Sequence, residues 1–228
     1  MAAVSLSTLR ARSRERADMP VAGFVPDSAT GIDAFINEGV QRLHEMLVEA
    51  YDSDYFSTFQ NFTAPGGETV ALPTNFYKLL GIDVIDGDIT RTILPFARGM
   101  RNVYRNSVLG APWSMRTRYR LEGPSTVRFL PALPAGTQGV FRYVPVATTL
   151  ALPADTVDFP NGWERYVVLY TAIQMKMKQE DSITDLRAEL EKMEAELRML
   201  ADRRDLASPA HAVDMDAVNE ADLRWWLP

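Results

Sequence analysis

Residues 163–204 constrain this chain more than any other part, because they carry its longest continuous helical periodicity. Trp163, Tyr166, Tyr170, Ile173 and Met177 recur at steps of three and four, the repeat of one buried helix face. A second run follows at once: Ile183, Leu186, Leu190, Met193, Leu197 and Leu200 alternate the same steps, as a and d positions do on a helix packed along a seam. The phase slips between the runs at Gln179, Glu180, Asp181 and Ser182. Ser182 and Asp185 have capping-box spacing, so a kink or a fresh helix start is expected there. Arg187 with Glu191 and Glu194 with Arg198 lie four apart on the outer face, each pair worth only about 0.3 kcal/mol. The second run is short for a free-standing coiled coil, which favours a hairpin helix in the core over a partner-binding coil.

Composition narrows the chemistry. The chain of 228 residues contains no cysteine, which removes disulfides, thiolate metal sites and cysteine nucleophiles, and only two histidines. That length suits one domain with an insertion, or two small ones, and a hydrophobic content of 46% is ordinary for a globular protein that buries a core. The formal charge of -6 gives no general attraction to nucleic acid or anionic membranes, so any such contact needs a local basic patch. The first residues hold Arg10, Arg12, Arg14 and Arg16 without the apolar run of a secretion signal, and no later stretch has the length of a membrane span. The protein is expected to work where it is synthesised, or to be packaged into something larger.

Residues 1–26 read as an arm, mobile or ordered by a partner, whose arginines could otherwise grip an acidic surface. Thr30 and Asp33 form a second capping box, after which Ile32, Phe35, Ile36, Val40, Leu43, Leu47 and Tyr51 make a helix face of about five turns. His44 flanks that stripe as a half-buried side chain, and His211 is too distant in sequence to suggest a pair.

From residue 55 to 149 the period changes to two. A strand over 55–63, a hairpin turn at Pro65-Gly66-Gly67 and a return over 68–72 are expected, followed by a helical turn over 73–80. Asp86-Gly87 suits a two-residue hairpin between 82–85 and 89–94, and a turn is the better account of Asp83, Asp86 and Asp88 than a cation loop, which they lack the spacing for. Residues 95–105 suit a helix with Phe96, Met100 and Val103 on one face and Arg98, Arg101 and Arg105 on another. Strands follow at 116–121, 126–130 and 140–144. Alternation sets Arg116, Arg118 and Arg120 on one sheet face, the best local basic patch in the chain, though the solvated face of a half-buried sheet looks the same.

The last residues carry Asp214, Asp216, Glu220 and Asp222 and close on Leu223, Trp225, Trp226 and Leu227. Two adjacent indoles gain by burial, either on the chain's own core or on a neighbouring subunit or partner. No nucleotide loop, zinc-protease helix or nucleophile elbow occurs in the sequence, which disfavours an enzyme, and neither a cofactor nor a metal is expected.

The order of pieces carries a resemblance. A capped helix holds Phe35-Ile36-Asn37-Glu38-Gly39-Val40, a strand precedes Leu72-Pro73-Thr74-Asn75-Phe76-Tyr77, and Tyr143-Val144-Pro145 and Pro160-Asn161-Gly162-Trp163-Glu164 lead into the long helical stretch. From about residue 29 to 204 this resembles the head-to-tail adaptor, or connector, proteins of tailed bacteriophages. The resemblance implies a virion structural protein without enzymatic activity, assembled in the host cytoplasm as a homo-oligomeric ring, usually of twelve copies. It implies a portal protein on one side, a tail or neck protein on the other, and DNA passing through without specific binding.

The expected fold is α+β: a helical bundle of one N-terminal helix and long C-terminal helices (27–54 and 158–205), a β-rich insertion (55–157), an N-terminal arm (1–26) and a C-terminal docking tail (206–228). Trp225, Trp226, Leu227 and Leu223, with Arg116, Arg118 and Arg120, are the expected partner-binding residues. A cytoplasmic nucleic-acid-binding regulator using the arginine-rich arm is the alternative.

Overall fold

Two separate apolar clusters organise the chain, one among helices and one between β-sheets. The computed structural model describes residues 3–19, 25–50, 56–105, 117–159 and 162–201. In chain order these form β1 (Val4–Ser5), α1 (Leu6–Ala17), α2 (Ile32–Ala50), β2 (Thr58–Thr63), β3 (Thr69–Ala71), β4 (Phe76–Asp86) and β5 (Ile89–Ile93). A 3-10 turn (Arg98–Met100) enters α3 (Arg101–Arg105), and β6 (Arg118–Glu122), β7 (Thr126–Leu130), β8 (Gln138–Pro145), β9 (Thr156–Val157), α4 (Glu164–Lys178) and α5 (Thr184–Ala201) complete the described elements.

The helical cluster is built around α4. Tyr166 to Ile173 are all buried, so this helix is apolar on nearly every side rather than along one stripe, and α1, α2 and α5 surround it. Met177, expected on the buried face, is 53% exposed. Gly39 lets α2 come close to α4, since a Cβ there would stand 3.1 Å from the Tyr170 ring. The helix ends where the phase slips. Glu180 N–H donates to Met177 O and Asp181 N–H to Lys176 O, with Glu180 in the left-handed region at φ 59, so the chain stops and α5 starts afresh. Helix α5 lays Ile183, Leu186, Leu190, Met193 and Leu197 on the core. It is a hairpin helix.

The sheets form a sandwich. One has the order β2-β8-β4-β5 and the other β3-β7-β6, with antiparallel strands throughout. Ile82, Val84, Ile93, Phe141 and Tyr143 of the first sheet meet Val70, Val127 and Phe129 of the second. Phe62 stacks on Phe141 with ring centroids 4.3 Å apart. The Asp86-Gly87 hairpin forms as its residues demand, with Gly87 at φ 62. The Pro65-Gly66-Gly67 turn is a corner between sheets, not a hairpin: β2 pairs with β8 and β3 with β7. Residues expected as a helical turn at 73–80 instead open β4, an 11-residue strand.

The expected helical bundle with long C-terminal helices is therefore corrected, and the expected C-terminal arm lies outside the described residues. The described residues hold nine strands in three sheets against five helices, and the C-terminal helices are two separate pieces of 15 and 18 residues. Nor is the N-terminal segment an extended arm. Ser5 caps α1, Leu6 and Leu9 are fully buried, and β1 pairs with β9 to close a two-stranded sheet on the helical core. Helix α1 escapes a periodicity reading because its buried residues are Leu6, Leu9, Ser13, Arg14 and Ala17, only two of them large and apolar.

His44 links α2 to the end of the four-stranded sheet. Its Nε2 lies 3.0 Å from the Pro145 carbonyl at the end of β8, and Phe56 and Tyr77 approach it edge-on. Burial pushes its pKa below the ordinary value.

Candidate functional site

Ion pairs decide which arginines are available. On α1, Arg10 grips Asp33 with both forks, Nε to Oδ1 at 2.6 Å and Nη2 to Oδ2 at 2.7 Å. Asp33 serves α1 in this way, both of its carboxylate oxygens accepting from one guanidinium. Arg14 donates to the Val25 carbonyl at 2.6 Å and pairs with Asp27, and Arg16 pairs with Glu189 on α5, which also takes Arg165 at 2.7 Å. Three of the four arginines expected to reach outward thus fasten α1 to its own fold.

A different set of arginines lines a cleft of about 440 Å³ on the outer face of the three-stranded sheet. The backbone builds it. Phe96 N–H donates to Tyr119 O at 3.0 Å and Tyr119 N–H to Leu94 O at 3.1 Å, so residues 94–96 run along the edge of β6 and carry α3 over the sheet. Phe96 is buried there while Met100 and Val103 stay exposed, which separates the three residues expected to share one face. In the β6–β7 register Arg118 stands opposite Leu130 and Arg120 opposite Arg128, on the face away from the sandwich core. The Arg118 guanidinium sits over the Tyr104 ring, 5.9 Å from its centroid.

Two carboxylates brace the cleft. Arg105 donates to Glu68 through Nε at 3.0 Å and Nη2 at 2.7 Å, and Arg128 pairs with Glu122 at 2.7 Å. The Arg105 hydrogen bonds hold the Glu68 carboxyl below its ordinary range, burial working weakly the other way. Among the described residues Arg98, Arg101 and Arg120 meet no carboxylate, although all three line the same cleft. Phe96, Leu121 and Leu130 give it an apolar floor. Guanidinium groups set beside apolar surface recognise carboxylates or phosphates.

Of the expected partner-binding residues, Arg120 lines this cleft and Arg118 precedes it on the same face of β6, over Tyr104, while Arg116, Leu223, Trp225, Trp226 and Leu227 fall outside the described residues. Arg128 and Glu68 were not singled out in sequence, since neither belongs to a local pattern. On the opposite sheet Asp83 accepts from Thr92 at 2.7 Å and Arg142 at 2.8 Å. Those bonds outweigh burial and lower its pKa, so it is a structural carboxylate. Among the described residues no group of three or more His, Asp or Glu is placed to hold a metal, and no helix is long and apolar enough to cross a membrane.

Ion pairs fasten the long helices to one another and α3 to the three-stranded sheet, which leaves a fold with a guanidinium-lined cleft on its outer face. Residues 4–214 match the family model described as SU10 adaptor protein, and the chain belongs to that family of phage head–tail adaptors. It is a structural component of a tailed-phage virion that associates with other head and tail proteins. The match extends beyond both limits of the resemblance read from sequence, taking in α1. No curated protein matches the chain.

Proposed function

We propose that the protein stands as a ring between the portal and the tail or neck, and that DNA passes through the opening. The observation that carries this reading is the adaptor-family match over residues 4–214. Two features of the chain support it. Its sequence closes on Trp225, Trp226 and Leu227, read as an anchor, and its three-stranded sheet carries an arginine cleft with Arg120, and unlike surfaces paired around an axis close into a ring. The net charge of -6 disfavours a grip on passing phosphates, because many Lys and Arg contacts would slow release.

On this reading the tail tryptophans and Leu223 dock on the portal or an adjacent subunit, and the arginine face, Arg116 included, looks toward the neighbouring subunit or the tail. Electron microscopy of purified particles tests it. The expected result is a ring with a central hole at the neck, decorated by antibody against this chain. Particles that join heads to tails with the chain absent from the neck would overturn it.

A further inference from the structure

Among the described residues three arginines of the cleft meet no carboxylate, and the sequence holds an acidic segment that could meet them. Residues 207–223 carry Asp214, Asp216, Glu220 and Asp222 and no lysine or arginine. All four acids share even numbering, so an extended chain brings them onto one side and sets Met215, Ala217, Ala221 and Leu223 on the other. The cleft offers the complement: Arg98, Arg101 and Arg120, without carboxylate partners among the described residues, beside Phe96, Leu121 and Leu130. Nucleic acid fits less well, because a long polyanion meets the whole chain's net charge of -6 whereas a short acidic segment meets only the local patch. The residues between the end of α5 at Ala201 and Asp214 can extend over about 40 Å.

We propose that this cleft receives the acidic stretch 214–222 of a neighbouring copy, with Arg98, Arg101 and Arg120 taking its carboxylates. The proposal rests on the ring reading and specifies one contact within it. A tail-to-cleft contact is heterologous, so repetition around an axis joins successive copies. It also sets the register from which Trp225 and Trp226 reach their own docking surface.

The absence of cysteine makes a direct test possible. Particles are prepared with the full-length chain carrying Arg101→Cys and Asp216→Cys together, and with each substitution alone. After mild oxidation, the double variant is expected to give reducible species of two and more chains, which neither single variant gives. A disulfide that stays within one chain would overturn the proposal by showing that the tail fills its own cleft.

No disulfide in particles that still show the ring would overturn it too, while leaving the adaptor reading intact; loss of the ring from unsubstituted particles strikes that reading instead. A charge swap provides the second arm. Arg101→Glu with Arg120→Glu is expected to lower chain incorporation into particles at least tenfold, and adding Asp216→Arg with Glu220→Arg is expected to restore most of it. Salt-sensitive binding of a DNA duplex by the full chain, abolished by Arg101→Glu with Arg120→Glu, would instead assign the cleft to nucleic acid and overturn the proposal.

Discussion

Replacing Arg10 by alanine distinguishes an integral first helix from a free arm. The Asp33 side chain is 7% exposed and that of Arg10 17%, and two hydrogen bonds of 2.6 and 2.7 Å join them. Truncating Arg10 leaves a carboxylate desolvated and without its counter-ion, which in buried pairs costs about 3–5 kcal/mol. The partial exposure of Arg10 lets water enter the vacated space, which puts the expected loss near the lower end, about 3 kcal/mol. With a urea slope of about 2–3 kcal/mol per molar for a chain of this size, the midpoint falls by about 1 M. Equilibrium unfolding followed by circular dichroism reads this directly. The double variant Arg10→Ala with Asp33→Asn is expected to recover part of the loss, because the stranded charge is gone. A change of less than about 0.5 kcal/mol for Arg10→Ala, the behaviour of a solvated surface residue, would refute the argument that α1 is ion-paired into the core.

Two further outcomes test the electrostatics. Glu68 has its pKa lowered by Arg105, so its contribution to holding α3 is present above the ordinary value of 4.5 and is lost as pH falls below it. Amide exchange over 98–105, corrected for intrinsic rates, should therefore quicken in acid and be quick at neutral pH in Glu68→Gln; a profile unaffected by the substitution would contradict this. Tyr170, whose hydroxyl donates to Glu38 at 2.6 Å, has its pKa pushed up to about 12, first by burial and then by that carboxylate. Stability from the neutral phenol is then full below pH 10.0 and declines as the pH climbs towards 12. Tyr170→Phe should cost about 1.5 kcal/mol and remove one late-titrating phenol from the tyrosinate absorbance, whereas an unchanged titration curve would place the hydroxyl in water.

Local patterns were readable where one element supplies its own reason for existing. The α2 stripe, the break before α5, the Asp86-Gly87 hairpin and the β7 strand each follow from the spacing of neighbouring residues or from one turn dipeptide. The failures occur where a distant partner decides. Nothing in the residues around Pro65-Gly66-Gly67 says that the strands on either side enter different sheets, because a corner and a hairpin use the same turn residues. Thr74 and Asn75 favour a turn locally, yet pairing with β8 draws the following residues into β4.

The cleft shows the same division between local and long-range information. Arg98, Arg101 and Arg105 are spaced for one side of a helix, and Arg118 and Arg120 for one side of a strand, so each set was visible alone. Their meeting depends on two backbone hydrogen bonds between residues 94–96 and Tyr119, a pairing across more than twenty residues that neither period encodes. Like charges gathered this way repel, and the fold limits the cost by giving Arg105 to Glu68 and Arg128 to Glu122 while seating Arg118 on Tyr104. The same three contacts fix the walls of the cleft and leave Arg98, Arg101 and Arg120 as the groups that gain most when an acidic segment arrives.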